Sequence, residues 1–460
     1  MTIVDAAAAL RAGKVSSVEL TRAALDAAAR QKALNAFLTL TPELALEQAR
    51  AADRLLAAGV DHGPLHGVPI ALKDLFDTRG IRTTGGSRVF EDRIPSRDST
   101  VTARLASAGA VLIGKTNQHE LAYGITSDNP HFGAVRNPWD PGRTAGGSSG
   151  GSGAAVAAGI VPMAMGTDTG GSIRIPAAFC GCVGLKPTFG RVSKRGVLPL
   201  GFTLDHSGPL ADTVRDAALT LDAIAGHDPE DIHSSPEPVA AYDPGESPSI
   251  AGLRAGLPDN FFLERADAEV VQAVHSMAAL AESLGAHIVR VRVPDMDEVN
   301  AIARVILLCE ASAALEPYHS RRHLFGRDVL SLLDQGRLIP ATDYINAQRL
   351  RGLYRDRFNQ LWREVDCLFT PGTPTPAPEL GQYTLELCGR IEDVRLTTTA
   401  LLRGINLFGL PALALPAALS AGGLPMGLQI VAPAFAEALL LRAGAALEQG
   451  RGPFPAPPSR

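Results

Sequence analysis

Apolar residues recur at helical spacing in the first part of the chain, most regularly over residues 17–29 and 42–58. This spacing puts the apolar side chains on one helix face, so both segments are predicted to be amphipathic helices. The pattern then changes to short apolar runs bounded by Gly, Pro or polar residues, at 66–72 and 110–114. These runs predict buried strands, and residues 100–108 between them predict a crossover helix.

The C-terminal part repeats this alternation, with strand-like runs at 285–293, 366–370 and 410–415. Strands that are apolar throughout and separated by helices favour an α/β architecture, in which both faces of the sheet are covered. Residues 226–250 are rich in Pro, Asp and Ser and predict an exposed connection.

The middle of the chain is dense in Gly, Ser and Ala. A flexible linker is one interpretation of residues 146–153. The apolar run 154–165 follows directly and has the character of a core segment. We therefore expect ordered structure here, with glycines that allow close backbone approach or open a helix towards a ligand.

Composition narrows the function classes. Of 460 residues, 46% are hydrophobic and 20% charged, which predicts a globular protein with a sizeable core. The net charge of −5 includes no long run of one sign, which argues against a nucleic-acid-binding face. Five cysteines are few and odd in number, so we expect a reducing compartment, the cytoplasm. No run approaches the ~18 apolar residues of a membrane span, and residues 1–30 are expected to be helical rather than a signal peptide.

Three segments contain candidate chemistry. Lys73 ends the apolar run that begins at Gly67, an unusual place for a residue type that is normally exposed. The other two are Gly-Gly-Ser-Ser-Gly-Gly-Ser at 146–152 and Gly-Thr-Asp-Thr-Gly-Gly-Ser-Ile-Arg at 166–174. Each is weak by itself, because a strand-end lysine can extend into solvent and Gly/Ser loops are common turns.

Together the three segments resemble the amidase signature family of serine hydrolases. Ser148 and Ser172 are 24 residues apart, which is the family's spacing between its two catalytic serines, and Lys73 lies in its lysine motif. Further similarity is found at 114–117, 137–139, 179–187 and 423–430. The resemblance implies an α/β amidase signature fold with a central twisted mixed β-sheet covered by helices on both faces. It also implies one domain over 1–460, comprising a helical part (1–60), the signature core (61–225) and a C-terminal part (226–460).

The resemblance implies a role for each matching residue. Ser172 would be the nucleophile, Ser148 would follow a cis peptide bond and transfer protons, and Lys73 would be the base. This is chemically coherent, because a serine hydroxyl is a weak nucleophile until a base accepts its proton. Lys73 must be neutral to act as that base, and burial lowers a lysine pKa in this direction.

The remaining site residues follow from the same motifs. We expect the backbone N–H groups of Thr169, Gly170, Gly171 and Ser172 to donate to the oxyanion of a tetrahedral intermediate. Asp168 and Arg174 are expected to position this loop, although a plain salt bridge is an equal alternative. The resemblance places Tyr123 and Gly124 beside the substrate. No cofactor and no metal are expected, because the sequence has no convincing ligand cluster.

Other chemistries explain these segments less well. Neither Gly-rich segment contains a lysine, so neither is the P-loop of a nucleotide-binding protein. Ser149 fits Gly-x-Ser-x-Gly and, with His206 as base, would be a rival nucleophile, but Lys73 and Ser172 would then be unexplained. A nucleophile at Cys180 or Cys182 lacks an indicated His partner. Their spacing, even with His119, is not that of a zinc site.

The predicted activity is hydrolysis of an amide-type C–N bond, including anilides and with carbamates or ureas as further substrates. The predicted partners are a small-molecule amide or carbamate substrate and at most a second copy of the chain, with no nucleic acid and no membrane. The alternative is the catalytic subunit of a multi-subunit complex. It rests on similarity to the glutaminase subunit of tRNA-dependent amidotransferases over 67–220 and to carboxybiuret-type hydrolases near 344–354.

The resemblance bears on the substrate as well. The glutaminase subunit recognises a free amino acid through an Arg and an Asp, and Arg351 is a candidate for the first. The Asp is expected near 396–406, where this chain has an apolar and Thr-rich segment. We therefore expect a more hydrophobic acyl or amine group in the substrate than glutamine provides.

Overall fold

A computed structural model describes residues 1–458. Its strands are β1 (Phe37–Leu40), β2 (Pro69–Lys73), β3 (Val111–Thr116), β4 (Met163–Asp168), β5 (Val183–Lys186), β6 (His206–Ala211), β7 (Arg254–Pro258), β8 (His287–Val291), β9 (Cys367–Pro371), β10 (Thr384–Leu387), β11 (Arg390–Asp393), β12 (Ala412–Leu419) and β13 (Pro425–Val431).

The α-helices are α1 (Ile3–Arg11), α2 (Ser17–Arg30), α3 (Pro42–Ala57), α4 (Thr100–Ser107), α5 (Gly150–Ala157), α6 (Arg174–Cys180), α7 (Val214–Ile224), α8 (Ala268–Ser283), α9 (Met296–Leu315), α10 (Arg327–Arg337), α11 (Ala341–Asn359), α12 (Val394–Ala400), α13 (Arg403–Phe408) and α14 (Glu437–Arg451). Within residues 1–458, no helix is both long enough and apolar enough to cross a lipid bilayer.

Eleven strands form one mixed sheet in the order β1-β3-β2-β4-β6-β5-β12-β13-β9-β7-β8. Strands β3, β2 and β4 are parallel neighbours, and so are β9, β7 and β8. The strands between these two groups pair antiparallel. Strands β10 and β11 form a separate hairpin. The predicted mixed α/β fold is confirmed.

Helices cover both faces of the sheet. Side chains alternate between the two faces of a strand, and in β2 Ile70 and Leu72 belong to one apolar cluster while Ala71 belongs to another. The first cluster includes residues of α1, α7, α8 and α14, and the second includes residues of α2, α3, α5 and α6. The central strands are therefore buried on both sides, which is why their sequences are continuous apolar runs.

Most of the predicted elements match the structure within two or three residues. The apolar run 154–165 is an exception, because it contains the end of α5, a turn and the start of β4. Residues 146–153 are not a linker, since they lead into α5. A Cβ at Gly151 would lie 2.3 Å from the Asn117 carbonyl oxygen, so glycine is required where α5 begins. The division of the chain into three parts stays a prediction.

The topology brings the candidate segments to one edge of the sheet. Strands β2 and β4 run parallel as neighbours and end at Lys73 and Asp168. Strand β6 runs antiparallel to β4, with His206 opposite Asp168. The loops that follow β4 and precede α5 meet at this edge, where Ser149 N donates to the Ser172 carbonyl oxygen at 3.1 Å.

Candidate active site

Lys73 is fully buried at the end of β2. Its Nζ donates to Ser148 Oγ at 2.7 Å and to Thr167 Oγ1 at 2.8 Å. Burial lowers the pKa of Lys73 well below 10.5, and the charges of Asp168 and Asp205 oppose this shift only in part. A neutral lysine in contact with a serine hydroxyl can accept a proton from it.

Ser148 lies in a loop that is fixed on several sides. The Gly147–Ser148 peptide bond is cis, as the resemblance implied. The Ser148 carbonyl oxygen accepts from the His119 N–H at 3.1 Å and from Ser127 Oγ at 3.2 Å. These contacts leave the Ser148 hydroxyl directed at Lys73.

Ser172 lies in the loop between β4 and α6 and is 5% exposed, so it is reached from a cavity but shielded from bulk water. The N–H groups of Thr169, Gly170 and Ser172 have no hydrogen-bond acceptor within residues 1–458. The Gly171 N–H instead donates to Asp168 Oδ1 at 2.8 Å. Of the four predicted oxyanion donors, Gly171 is therefore already engaged and three remain.

Asp168 and Arg174 form a buried ion pair behind this loop. Arg174 donates to Asp168 at 2.9 and 3.0 Å, and Asp168 also accepts from the Ile173 N–H at 3.1 Å. Burial alone would raise the pKa of Asp168, but the Arg174 guanidinium holds it well below its usual range. The pair thus fixes both ends of the loop that contains Ser172.

Two residues from the C-terminal part complete the ion-pair network, and the sequence did not indicate them. Asn406 donates to Asp168 Oδ1 at 2.8 Å and accepts from Arg174. Gln429 Oε1 accepts from Arg174 at 2.6 Å.

Thr167, the second acceptor for Lys73, was also not predicted as a site residue, although it lies inside the motif at 166–174. Its position one residue before the end of β4, next to β2, was the available signal.

Tyr123 and Gly124 line a cavity of about 60 Å³ together with Ser172. The residues predicted to bind the substrate and the predicted nucleophile therefore line the same cavity. A Cβ at Gly124 would lie 2.1 Å from His119 Nε2, which explains the glycine at this position. Arg351 does not line this cavity, because its guanidinium donates to backbone carbonyls of Leu407 and Thr203 at 2.6 and 3.0 Å.

The rival pair of Ser149 and His206 is not assembled. Ser149 Oγ donates to the Thr167 carbonyl oxygen at 3.1 Å and accepts from the Thr167 N–H at 3.2 Å. His206 Nδ1 lies 2.6 Å from the Leu204 carbonyl oxygen, so this nitrogen carries the proton. Burial lowers the pKa of His206 well below 6.5. Both side chains therefore form hydrogen bonds to main-chain groups at this edge of the sheet.

The cysteine and zinc alternatives also lack support. Cys180 and Cys182 are buried, and burial raises the pKa of both thiols, which disfavours the reactive thiolate. His119 Nε2 contacts Asp328 at 2.9 Å. Within residues 1–458, no group of three or more His, Cys, Asp or Glu side chains is placed to hold a metal ion. Independence from metals stays a prediction.

The family model named Amidase matches residues 19–441. This chain belongs to the amidase signature family. It is 42% identical over 477 residues to a glutamyl-tRNA(Gln) amidotransferase subunit of Geobacter sp. strain M21, with 98% of this chain and 97% of the relative covered. The chain is accordingly an enzyme that acts on C–N bonds, as an amidase or amidotransferase.

Solved structures give the same family. One, described as an unexpected vestigial protein complex that reveals the evolutionary origins of an s-triazine catabolic enzyme, is 40% identical with a TM-score of 0.94, and covers 98% of this chain and 99% of its own. Another is a bacterial aryl acylamidase of the amidase signature enzymes, 28% identical with a TM-score of 0.89, covering 98% of this chain and 96% of its own.

The predicted partners are wrong. We expected only a small-molecule amide or carbamate, at most a second copy of the chain, and no nucleic acid. The Geobacter relative is instead named as one subunit of an enzyme for glutamyl-tRNA, and the first solved structure is described as a protein complex. The alternative prediction, the catalytic subunit of a multi-subunit complex, agrees with these relatives, whereas the catalytic motifs by themselves indicate only the chemistry of the site.

Proposed function

We propose that this protein is the amide-cleaving subunit of a multi-subunit amidotransferase or carboxybiuret-type hydrolase, with Ser172, Ser148 and Lys73 as its catalytic residues. The contact between Lys73 and Ser148 supports the chemistry, since it is a buried base on a serine hydroxyl beside the Ser172 loop. The near-complete coverage of a relative named as one part of a larger enzyme supports the assembly.

The proposed reaction begins with attack of Ser172 Oγ on the substrate carbonyl carbon. The hydroxyl proton of Ser172 passes to Ser148, while the proton of Ser148 passes to neutral Lys73. The N–H groups of Gly170 and Ser172, with Thr169 beside them, donate to the oxyanion, which stabilises the transition state by about 3–4 kcal/mol per donor.

Collapse of the tetrahedral intermediate breaks the C–N bond and leaves an acyl group on Ser172. The leaving nitrogen takes a proton from Lys73 through Ser148, which restores the neutral base. A water molecule then attacks the acyl-enzyme by the same proton route and releases the acid. Carbamates and activated esters present a carbonyl carbon to the same residues, so we propose that the enzyme also hydrolyses them as a side activity.

Purification of the tagged chain from its native source tests the assembly. We expect the amide-hydrolysing activity to co-elute with a complex that contains this chain and a second polypeptide in fixed stoichiometry. Separation of the two should reduce the activity, and recombination should restore it. Full activity of the chain by itself, unchanged by adding back the second polypeptide, would contradict its assignment to a complex while leaving the amide chemistry intact.

The compartment is part of the same proposal. All five cysteines are free, and three of them are buried in the core. Free core thiols are compatible with the reducing conditions of the cytoplasm. Fractionation of the native cells followed by immunoblotting tests this placement directly.

A further inference from the structure

Asp205 lies where the chain entering β6 meets the loop that contains Ser172. Strands β4 and β6 pair antiparallel, with Asp168 opposite His206. Residues 169 and 205 therefore come next on the two chains, just beyond the last paired residues. There the Thr169 hydroxyl donates to Asp205 Oδ1 at 2.6 Å. A side-chain contact thus joins the two chains where the backbone ladder ends.

The Asp205 carboxylate is itself held by the turn that precedes β6. It accepts from the Leu200 N–H at 2.9 Å and from the Gly201 N–H at 3.0 Å. Glu310 of α9 fixes the same turn, since it accepts from the Thr203 N–H at 2.9 Å and from the Thr203 hydroxyl at 2.6 Å. The carboxylate is therefore a fixed acceptor rather than a mobile one.

Thr169 lies between two cavities. It lines the cavity of about 60 Å³ that contains Ser172, the inner cavity, and also a second cavity of about 230 Å³ that Asp205 lines. The Thr169 N–H has no acceptor within residues 1–458, although the hydroxyl is bound. Gly170 follows, and glycine permits many backbone conformations. Because the rotamer of a β-branched side chain is coupled to its backbone angles, the bound hydroxyl restricts the direction of this N–H.

The charge of Asp205 also acts on Lys73. Asp168 and Asp205 are the two carboxylates whose charges favour the protonated form of Lys73. Asp168 is paired with Arg174 at 2.9 Å, whereas Asp205 forms no ion pair within residues 1–458. The negative charge of Asp205 is therefore not cancelled by a cation in direct contact.

Other charged or titratable groups face Asp205 from the surrounding elements. Glu310 acts on it from α9. The groups that line the second cavity with Asp205 are Lys194, Arg195, His206, Glu230, Asp231 and His233. Lys194 acts on Asp205 at longer range than an ion pair. Asp205 thus keeps its charge beside the site, with its hydrogen bonds directed at Thr169 and the turn.

We propose that Asp205 is a positioning residue of this active site, which fixes Thr169 as an oxyanion donor through its hydroxyl and acts on Lys73 by its charge. This inference rests on the proposed function. Oxyanion donors are effective when they are held in place before the reaction begins. Asp205 supplies that constraint from a turn outside the three catalytic segments.

Rates of labelling by a fluorophosphonate test the proposal on the full chain, with any co-purifying polypeptide retained. Ser172 Oγ forms a bond to phosphorus, fluoride leaves, and the serine proton passes through Ser148 to Lys73. The phosphoryl oxygen takes the place of the oxyanion, so no identified substrate is needed. The rate at saturating reagent measures the chemical step, and the half-saturating concentration measures binding.

Two variants of Thr169 test the hydroxyl contact. Thr169→Val removes the hydroxyl but keeps the branched shape. The labelling rate at saturation should fall by about 10-fold or more, with the half-saturating concentration and the pH dependence unchanged. Thr169→Ser keeps the hydroxyl and should recover most of the lost rate.

Asp205→Asn tests the charge, because it keeps an acceptor for Thr169. The rise of the labelling rate with pH should move to lower pH by about 0.5 pH unit or more, since the protonated form of Lys73 loses one of the two charges that favour it. Asp26→Asn, at an exposed position of α2 outside both cavities, should leave this rise in place. Thermal unfolding checks that each variant is folded.

The outcomes separate this proposal from the proposed function. A wild-type labelling rate in Thr169→Val, or a pH dependence that does not move in Asp205→Asn, would overturn the role of Asp205 and leave the proposed function in place. Wild-type protein that is not labelled at Ser172 would contradict the proposed function, and the role of Asp205 with it.

Discussion

Lys73 Nζ lies 2.7 Å from Ser148 Oγ, and both side chains are fully buried. In water a lysine would be charged at neutral pH and could not accept a proton. Here burial lowers the pKa of Lys73, and the two carboxylates that oppose the shift do not cancel it. The same contact that orients Ser148 therefore places beside its hydroxyl an amine that can accept a proton.

Substitution of Lys73 tests the base assignment. Lys73→Arg keeps the positive charge but cannot lose its proton, so kcat/KM should fall by about 10²-fold to 10⁴-fold. In the wild type, kcat/KM should rise with pH and level off well below 10.5, and the variant should lack this rise. Measurement of kcat/KM across pH for both proteins checks the prediction.

Lys115→Arg is the matched control for damage to the fold. Lys115 is also fully buried and donates to the Phe76 carbonyl oxygen at 2.7 Å, but it lies outside the candidate site. Its substitution should cost stability and leave the rising limb of the pH profile in place. Near-native activity of Lys73→Arg with an unchanged profile would require the base assignment to be withdrawn.

The low pKa of Lys73 also affects stability. The unfolded chain binds a proton at Lys73 up to about pH 10.5, whereas the folded chain releases it at lower pH. Between the two pKa values the unfolded state holds more protons, so stability rises with pH. The free energy of unfolding of Lys73→Met relative to wild type should therefore be most favourable at low pH and become less so as pH rises. Denaturant unfolding at several pH values measures this difference, and a difference independent of pH would contradict it.

The buried ion pair predicts a large effect from one side chain. Arg174→Met leaves the Asp168 carboxylate buried without its cation, which should destabilise the protein by about 3–5 kcal/mol. The exposed pair of Arg215 and Asp243 is the control, and Arg215→Met should cost less than about 1 kcal/mol. Denaturant unfolding measures both. Equal losses in the two variants would mean that the buried pair does not stabilise the Ser172 loop.

Candidate site residues could be identified from the sequence where they lie close together in the chain or at the end of an apolar run. Lys73 stood out because it ends a run that is otherwise apolar, and β2 is indeed buried along its length. The boundary inside 154–165 could not be predicted, because a buried helix and a buried strand are both apolar and the turn between them is short.

Contacts between distant parts of the chain were not predictable. Asn406 and Gln429 reach Arg174 from more than 200 residues away, and neither lies in a pattern that indicates a partner. The arginines of the inner cavity are similar, since Arg304, Arg395 and Arg403 have no common spacing and meet only when three helices pack together. A single sequence records which residues are present, whereas the substrate cavity depends on how the elements pack.

Identification of the nucleophile by covalent labelling tests the central claim most directly. The wild type and Ser172→Ala are treated with a fluorophosphonate, and the labelled peptide is identified by mass spectrometry, with thermal unfolding as the check on the fold. The account predicts a label on Ser172 in the wild type, and a folded Ser172→Ala protein that is unlabelled and about 10⁴-fold or more less active. A label that persists in Ser172→Ala and disappears in Ser149→Ala would contradict it.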